Sequence, residues 1–147
     1  MKKLLNLECY KNIKDFTSIS KLEKLEKLNV NYTNISDIYF LKRNKSIKQL
    51  HLNGCYIIND FKPISQLEKL ENLSICNTII SGISFIEKNE NIRYLNLEYC
   101  KNIGSTIISN ISFIENNENI KELYLKGCKN INKKSEIFNR KEIKIFY

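Results

Sequence analysis

Pairs of apolar residues separated by a single residue recur along the chain at nearly constant intervals. The pairs are Leu5-Leu7, Leu28-Val30, Leu50-Leu52, Leu73-Ile75, Leu95-Leu97, Leu123-Leu125 and Ile143-Ile145. Their first members are 23, 22, 23, 22, 28 and 20 positions apart, and an isoleucine lies seven or eight positions after the start of each of the first six pairs. Self-similarity at a period of this length indicates a repeat architecture.

Each pair and its flanking residues alternate between apolar and polar positions, which is the pattern of a short β-strand with one apolar face. A unit of this length cannot bury that face alone, whereas stacked units pair their strands into a parallel sheet. The segments that return to the next strand, such as Ile35 to Leu41 and Ile80 to Ile86, are predicted to be turns or short helices. The sequence therefore predicts an α/β repeat solenoid, an arc with a short-stranded parallel sheet on its concave face and turns or short helices on its convex face.

The repeats resemble those of the leucine-rich-repeat family over about residues 3–147. The units that start at Leu28 and Leu73 are similar to the internalin type, which is about 22 residues long. Three other units carry a cysteine five residues after their first Leu, at Cys55, Cys100 and Cys128. These three are similar to the cysteine-containing type known from F-box substrate adaptors. The resemblance implies one leucine-rich-repeat domain over residues 1–147, with about six repeats and a final strand.

The unit that starts at Leu95 departs from both types. It has five or six additional residues near positions 104–110, whereas the preceding units are nearly constant in length. We expect these residues to form a bulge on the convex side of the arc.

The concave face of the predicted arc carries the residues before, between and after each apolar pair. Its charged residues are three lysines and four glutamates, so this face is nearly neutral although the whole chain has a formal charge of +8. A solenoid commonly binds its partner in the concavity, and Tyr and Asn supply contact area and adaptable hydrogen bonds to a protein surface. The predicted partner-binding residues are Asn29, Asn31, His51, Asn53, Ser74, Cys76, Tyr94, Asn96, Glu98 and Tyr124.

A mostly basic row precedes the predicted strands, two positions before each apolar pair. Its cations are Lys3, Lys48, Arg93, Lys121 and Lys141, and Glu26 and Glu71 interrupt it. Such a row is either a solvated rim of the arc or a binding site for an acidic protein or a single nucleic-acid strand. Because no recognised nucleic-acid-binding motif is present, nucleic acid is not the expected partner.

The five cysteines do not form CxxC pairs, and no Cys/His run has the spacing of a zinc site, so no metal and no disulfide framework are expected. Cys55, Cys100 and Cys128 share the turn position after the strand, where we expect buried, unreactive thiols. Cys76 falls on the outward face and is predicted to be the most exposed thiol. Cys9 lies one residue before the turn position, and the pattern fits a buried thiol there as well as an exposed one.

Catalysis is not expected from this sequence. His51 is the only histidine, and Cys76 on the next strand is its one candidate partner for a nucleophilic pair. Their Cα atoms are roughly 8 Å apart in a sheet of standard spacing, and no carboxylate occupies an obvious orienting place. Since a Gly-rich phosphate loop and a paired carboxylate motif are also absent, we predict neither an enzyme nor a cofactor.

Composition agrees with a folded chain without a membrane span. Hydrophobic residues make up 42% and charged residues 27% of the sequence, and no apolar run approaches the ~20 residues of a transmembrane helix. No secretory signal pattern is present, and the odd number of cysteines suits a reducing compartment, so we expect a cytoplasmic protein.

The ends of the predicted solenoid raise the question of self-association. Only Met1-Lys2-Lys3 precede the first coil, and the final strand has nothing after it in this sequence. Lysines on edge strands commonly prevent strand pairing, so a monomer is expected, with end-to-end stacking of copies as the alternative.

The function expected from the sequence is a non-catalytic scaffold that binds a partner protein through the concave face. The cysteine-containing units imply an alternative, substrate recognition in a ubiquitin-ligase adaptor, although no F-box is present in this sequence. The internalin-like units imply cell-surface adhesion, although the sequence shows neither an export signal nor an anchor. The basic row offers nucleic acid or another acidic partner as a third alternative.

Overall fold

The computed structural model describes residues 3–80, 82–100, 112–128 and 135–147. Seven strands of three residues lie within these ranges and form one parallel sheet in chain order. They are β1 Leu4–Asn6, β2 Lys27–Asn29, β3 Gln49–His51, β4 Asn72–Ser74, β5 Tyr94–Asn96, β6 Glu122–Tyr124 and β7 Lys144–Phe146. The predicted repeat solenoid with a short-stranded parallel sheet is therefore confirmed.

The apolar pairs set the register of this sheet. Leu28 lies opposite Leu5 and Leu50, and the same pairing continues through Leu95 opposite Leu123. The leucine at the centre of each strand from β2 to β6 is at most 1% exposed. Burial of one leucine per coil against its neighbours is what makes the short strands stable in the stack.

The last strand lies two residues later than the apolar pairs predict. Ile145, not Ile143, lies opposite Leu123 in the sheet. Ile143 is also buried, and its backbone N–H bonds to the carbonyl of Arg140 in the turn before β7. Both isoleucines fit a two-residue alternation, so the pattern could not distinguish the strand residue from the turn residue.

Short helices return the chain from one strand to the next on the convex side. They are the 3-10 helices Thr17–Lys21, Tyr39–Arg43, Lys62–Gln66, Ser84–Ile86 and Glu136–Asn139 and the α-helix α1, Ser112–Asn116. The predicted turns or short helices in the segments 35–41 and 80–86 are confirmed by two of them. The expected bulge near 104–110, and the repeat isoleucines Ile103 and Ile131, lie outside the described residues.

Aspartates stabilise the start of the first three helices. The Oδ1 atoms of Asp15, Asp37 and Asp60 accept hydrogen bonds from backbone N–H groups two residues later, at 2.7, 2.6 and 2.9 Å. This is the local bond that favours Asp at turns and helix starts. No helix among the described residues is long and apolar enough to cross a membrane.

Two buried asparagines join successive coils on the side where the helices end. The Nδ2 of Asn44 donates to the carbonyls of Ile19 and Leu22, both at 3.1 Å. The Nδ2 of Asn89 makes the same two bonds further along the solenoid, to Ile64 and Leu67 at 3.3 and 3.0 Å. Asn44 and Asn89 therefore occupy equivalent positions in the second and fourth coils.

A residue with positive φ follows each strand from β1 to β6. These residues are Cys9, Tyr32, Gly54, Asn77, Tyr99 and Gly127, with φ between 52° and 73°. The backbone N–H of each of the first five donates to a carbonyl of the next coil at 2.7 to 2.9 Å. These residues with left-handed backbone conformation stack in a column, and each turns the chain away from the sheet at the same point of its coil.

Candidate functional site

The sheet register arranges the predicted concave residues in rows across the strands. Asn29, His51, Ser74, Asn96 and Tyr124 form one row, because each lies opposite the next in the parallel pairing. The predicted residues that are half-buried are Asn29, His51, Asn53, Cys76, Tyr94, Asn96, Glu98 and Tyr124. Asn31 and Ser74 are only 7% and 4% exposed, so they offer a partner little surface.

Asn31 and Ser74 are buried because their polar groups hold neighbouring coils together. The Oδ1 of Asn31 accepts the backbone N–H of Asn53 at 2.8 Å. The Oδ1 of Asn53 in turn accepts the hydroxyl of Ser74 at 2.7 Å and the backbone N–H of Cys76 at 2.8 Å. These asparagines thus satisfy backbone groups at the ends of the strands.

The sequence does carry a sign that concave asparagines bond to the backbone, because an Asn is the last residue of several strands. The Oδ1 atoms of Asn6, Asn29 and Asn96 each accept the backbone N–H two residues later, at 2.9 to 3.0 Å. Asn commonly makes this bond at turns, so part of the Asn content of the face is structural.

Glu8 lies beside the N-terminal part of the face. Its carboxylate accepts hydrogen bonds from Asn29 Nδ2 at 3.1 Å and from Asn31 Nδ2 at 3.5 Å. Burial lowers the pKa of His51 below its ordinary value, and the Glu8 charge opposes that shift. His51 is therefore neutral at pH 7 and presents a hydrogen-bonding ring rather than a charge.

Three aromatic rings form a continuous row at the C-terminal end of the concave face. The centroids of Tyr94 and Tyr124 are 5.1 Å apart, and those of Tyr124 and Phe146 are 4.3 Å apart with planes only 9° from parallel. The Tyr124 hydroxyl donates to Glu122 Oε2 at 3.0 Å. Burial and this bond raise the pKa of Tyr124.

A groove of about 750 Å³ lies along this aromatic row. It is lined by Tyr94, Asn96, Glu98, Tyr124, Lys126, Ile145, Phe146 and Tyr147. Phe146 and Lys126 were not among the predicted binding residues, although strand alternation places both on the concave side. The groove thus adds an apolar wall and a cation to the Tyr and Asn residues that the sequence indicated.

Among the turn cysteines that were predicted to be buried, Cys55 and Cys100 are buried, whereas Cys128 is half-buried. The Sγ atoms of Cys55, Cys100 and Cys128 donate to carbonyls of the preceding coil at 3.0 to 3.1 Å. Thr33 and Thr78 occupy the same turn position in the second and fourth coils, and their hydroxyls donate to the carbonyls of Val30 and Ile75 at 2.8 and 2.6 Å. Burial raises the pKa of all three thiols, that of Cys128 to about 12, so they are poor nucleophiles at pH 7.

Cys76 is half-buried, whereas Cys9 is exposed, so the prediction that Cys76 is the most exposed thiol is wrong. Burial and the Glu98 charge raise the pKa of Cys76. His51 lies opposite Ser74 in the sheet, two residues before Cys76.

The described residues contain no group of three or more His, Cys, Asp or Glu side chains that could hold a metal ion.

The predicted basic rim is partly neutralised at its N-terminal end. The Glu26 carboxylate forms ion pairs with Lys3 Nζ at 3.1 Å and with Lys48 Nζ at 3.7 Å. The bond from Lys3 is the main cause that lowers the pKa of Glu26. Arg93 and Lys121 are exposed further along the rim.

The assignment of Lys141 to the rim is corrected by the register of β7. Lys141 precedes the turn residue Ile143, while the strand residue opposite Leu123 is Ile145. Lys141 thus lies four positions before the strand apolar residue instead of two. The cause is the same ambiguity between two alternating isoleucines.

No family model and no curated protein matches this sequence. Solved structures do match its fold. An internalin, InlF from Listeria monocytogenes, superposes with a TM-score of 0.76 at 20% identity, over 91% of this chain and 38% of its own. Internalin C2 from the same species gives a TM-score of 0.72 at 19% identity, over 89% of this chain and 54% of its own.

A leucine-rich-repeat protein of Leptospira interrogans gives a TM-score of 0.68 at 23% identity, over 97% of this chain and 42% of its own. The chain thus spans roughly two fifths to one half of the length of these solved proteins. At such identities the likeness concerns the fold.

Proposed function

Because the chain folds as a leucine-rich-repeat solenoid, we propose that it is a non-catalytic module that binds a partner protein through its concave face. The observation that carries this proposal is the aromatic row of Tyr94, Tyr124 and Phe146 beside an open groove. Aromatic side chains supply large contact area at low conformational cost and are enriched at protein interfaces. Tyr94 and Tyr124 are half-buried and Phe146 is 43% exposed, so the row keeps surface that a partner can cover.

The polar groups around the row favour a protein surface over a polyanion. Glu98 and Lys126 line the same groove and carry opposite charges. Asn96 also lines the groove, and Asn29 and His51 are half-buried on the rest of the face; all three add neutral hydrogen-bonding groups. Charge balance and neutral amides suit the mixed surface of a folded protein or an extended segment of one.

Binding of nucleic acid along the basic rim has weaker support. Glu26 holds two of the rim cations, Lys3 and Lys48, in ion pairs, and Lys141 does not belong to the row. A polyanion would have to displace these pairs or use Arg93 and Lys121 alone.

We place the module in a reducing compartment, as the cytoplasm is. All five cysteines have free thiols. The thiols of Cys55, Cys100 and Cys128 donate to backbone carbonyls, and this arrangement does not require an oxidising environment.

Site-specific photo-crosslinking would test the concave face directly. A benzoylphenylalanine replaces His51 in one variant and Tyr10 in a matched control, since Tyr10 is exposed but follows β1 at the turn. Each variant is irradiated in a lysate of the source, and cross-linked proteins are identified by mass spectrometry. The proposal expects a protein that cross-links at position 51, not at position 10, and is lost when Tyr94 and Tyr124 are changed to Ser.

The outcome against the proposal is a protein that cross-links equally at both positions or survives the loss of both tyrosines. Circular dichroism of the double variant shows whether the fold has been kept. A cross-link only to nucleic acid, weakened steeply by salt, would favour the rim instead.

A further inference from the structure

Two grooves on the flank where the helices end have opposite charge. The first lies between the first and second coils and is lined by Ser20, Lys21, Glu23, Lys42, Arg43 and Lys45. The second lies between the fourth and fifth coils and is lined by Glu87, Glu90, Asn116, Asn117, Glu118 and Asn119. We name them the basic groove, of about 630 Å³, and the acidic groove, of about 410 Å³.

Both grooves lie between successive coils on the same flank; Lys42 and Lys45 line the basic groove from its later coil, and Glu87 and Glu90 line the acidic groove from its earlier coil. Asn44 and Asn89 anchor equivalent positions, because each bonds the same two carbonyls of the preceding coil. Counting from these residues, Lys42 corresponds to Glu87 and Lys45 to Glu90. Equivalent backbone therefore presents cations at one place and carboxylates at the other.

The charges of both grooves face solvent. Lys21, Lys42, Arg43, Lys45 and all three glutamates of the acidic groove are exposed. Within the described residues, the salt bridges join Glu26 to two rim lysines and Arg140 to Glu142, and none involves a groove residue. The charged side chains of both grooves thus form no salt bridge within the described part of the chain. Two opposite charges lie near them: Asp60, whose pKa is lowered in part by Lys42, and Arg140, whose guanidinium donates to the carbonyls of Asn117 and Glu118.

Two of the cations are held in place by neighbours. Lys42 Nζ lies 4.3 Å from the centroid of the Tyr39 ring, whose hydroxyl donates to Asp60 at 3.0 Å. Lys45 Nζ donates to the carbonyl of Gln66 at 3.3 Å. Side chains restrained in this way lose less freedom when they form a contact.

We propose that two copies of this chain associate side by side through these grooves, in antiparallel orientation about a two-fold axis. The basic groove of each copy then faces the acidic groove of the other, so that both contacts form at once and the assembly closes as a dimer. The axis passes the third coil, where Leu67 takes the place of Asn44, so that Ser65 and Gln66 correspond to Lys42 and Arg43 and are uncharged. Glu68, which corresponds to Lys45, is exposed beside the axis and opposes the contact with the same residue of the other copy. Lys88, exposed between Glu87 and Glu90, opposes the contact and limits its strength.

This dimer goes beyond the proposed function and does not depend on it. The grooves lie on the flank, so the concave face stays open to a partner in both copies. The expectation of a monomer rested on lysines of the edge strands, which concern the ends of the sheet and not its flank. Contacts between exposed charges are sensitive to salt, so the dimer is a weak and reversible one.

Sedimentation equilibrium at two salt concentrations tests the proposal. The mass is measured at ~20 mM and ~500 mM NaCl, where the Debye length falls from about 20 to about 4 Å. At low salt and high protein concentration we expect the average mass to approach twice the chain mass of 17.4 kDa, and at high salt to return to it. A monomer at both salt concentrations, or growth beyond two chains, overturns the two-fold dimer.

Charge reversal in each groove provides the specific test. Lys42→Glu with Lys45→Glu, and Glu87→Lys with Glu90→Lys, should each give a monomer at low salt. Mixed in equal amounts, the two variants should restore a mass of two chains, because every groove of one then opposes an opposite groove of the other.

A variant with all four changes keeps the net charge of +8 and should dimerise by itself. The control variant Lys11→Glu with Lys14→Glu, which alters exposed lysines before the first helix and outside both grooves, should dimerise like the native chain. Failure of the mixture and of the fourfold variant to dimerise, while the native chain does, overturns the pairing of these grooves.

Discussion

The ring of Tyr32 occupies the space that a side chain at Gly54 would need. A Cβ atom at Gly54 would lie 2.6 Å from Cε1 of Tyr32, far closer than atoms of two side chains approach each other. Tyr99 covers Gly127 in the same way three coils later. In both places the tyrosine and the glycine occupy the left-handed position of successive coils. A tyrosine in one coil thus requires a glycine in the next.

Replacement of Gly54 by Ala should lower the free energy of unfolding by about 1–3 kcal/mol. The backbone has φ +65°, which disfavours a side chain, and the new Cβ would collide with the Tyr32 ring. Urea denaturation of Gly54→Ala, Tyr32→Ala and the double variant separates the two causes. The change at Gly54 should cost less in the Tyr32→Ala background, and an equal cost in both backgrounds would show that the ring contact contributes nothing.

Replacement of Asn53 by Ala should expose the backbone amide of Cys76 to hydrogen exchange. The Oδ1 of Asn53 accepts both this amide and the Ser74 hydroxyl, and the loss of an acceptor inside the structure costs about 1–3 kcal/mol. Exchange measured by NMR should accelerate at Cys76 in Asn53→Ala. Asn53→Asp is the matched control because it keeps an acceptor oxygen at the same place. Unchanged exchange at Cys76 in the Ala variant would contradict this role.

The cysteines should differ sharply in reactivity toward a thiol reagent at pH 8. Cys9 is exposed, whereas the thiols of Cys55, Cys100 and Cys128 are bonded to carbonyls and their pKa values are raised. A raised pKa leaves less thiolate, which is the reacting form. Peptide mapping after brief labelling should find Cys9 modified first and these three only after unfolding. Modification of Cys128 as fast as that of Cys9 would refute the expectation.

Stability should rise with pH as the solution passes through the ordinary pKa of His51, 6.5. Burial lowers the pKa in the folded state, so the unfolded chain binds more protons below this pH and folding is disfavoured there. His51 is the only histidine, and its ring signal in NMR gives the pKa without ambiguity. The folded pKa should lie below 6.5, and His51→Asn should flatten the pH dependence between about pH 5 and pH 7. A folded pKa at or above 6.5 would disprove the argument.

The pattern of apolar residues was sufficient for the fold but not for every detail of it. The predicted strand positions of Leu28, Leu50 and Leu95 are confirmed, because a charged residue stands two positions before each of them and leaves one register for the alternation. The final strand was misplaced because Ile143 and Ile145 satisfy the same alternation. Only the hydrogen bonds of the turn before β7 separate the two.

The sequence predicted which residues lie on the concave face, but not which of them are buried there. Strand alternation placed Tyr94 and Tyr124 on the concave face, since the direction of a side chain follows from the backbone. The burial of Asn31 and Ser74 depends on Asn53, a residue about one coil away from each. No local pattern reports whether a polar side chain on a strand is satisfied by a neighbour or left for a partner.

The sequence by itself determined the solenoid, because the spacing of apolar residues repeats and each coil obeys the same local rule. Tertiary structure alone decided which polar groups the coils use among themselves, and that the flanks of the second and fourth coils have opposite charge. Those properties arise between residues about 22 or 45 positions apart that stacking makes equivalent, as the matching bonds of Asn44 and Asn89 show. Contact between coils, and not the order of residues within one, therefore sets the surfaces that this protein presents.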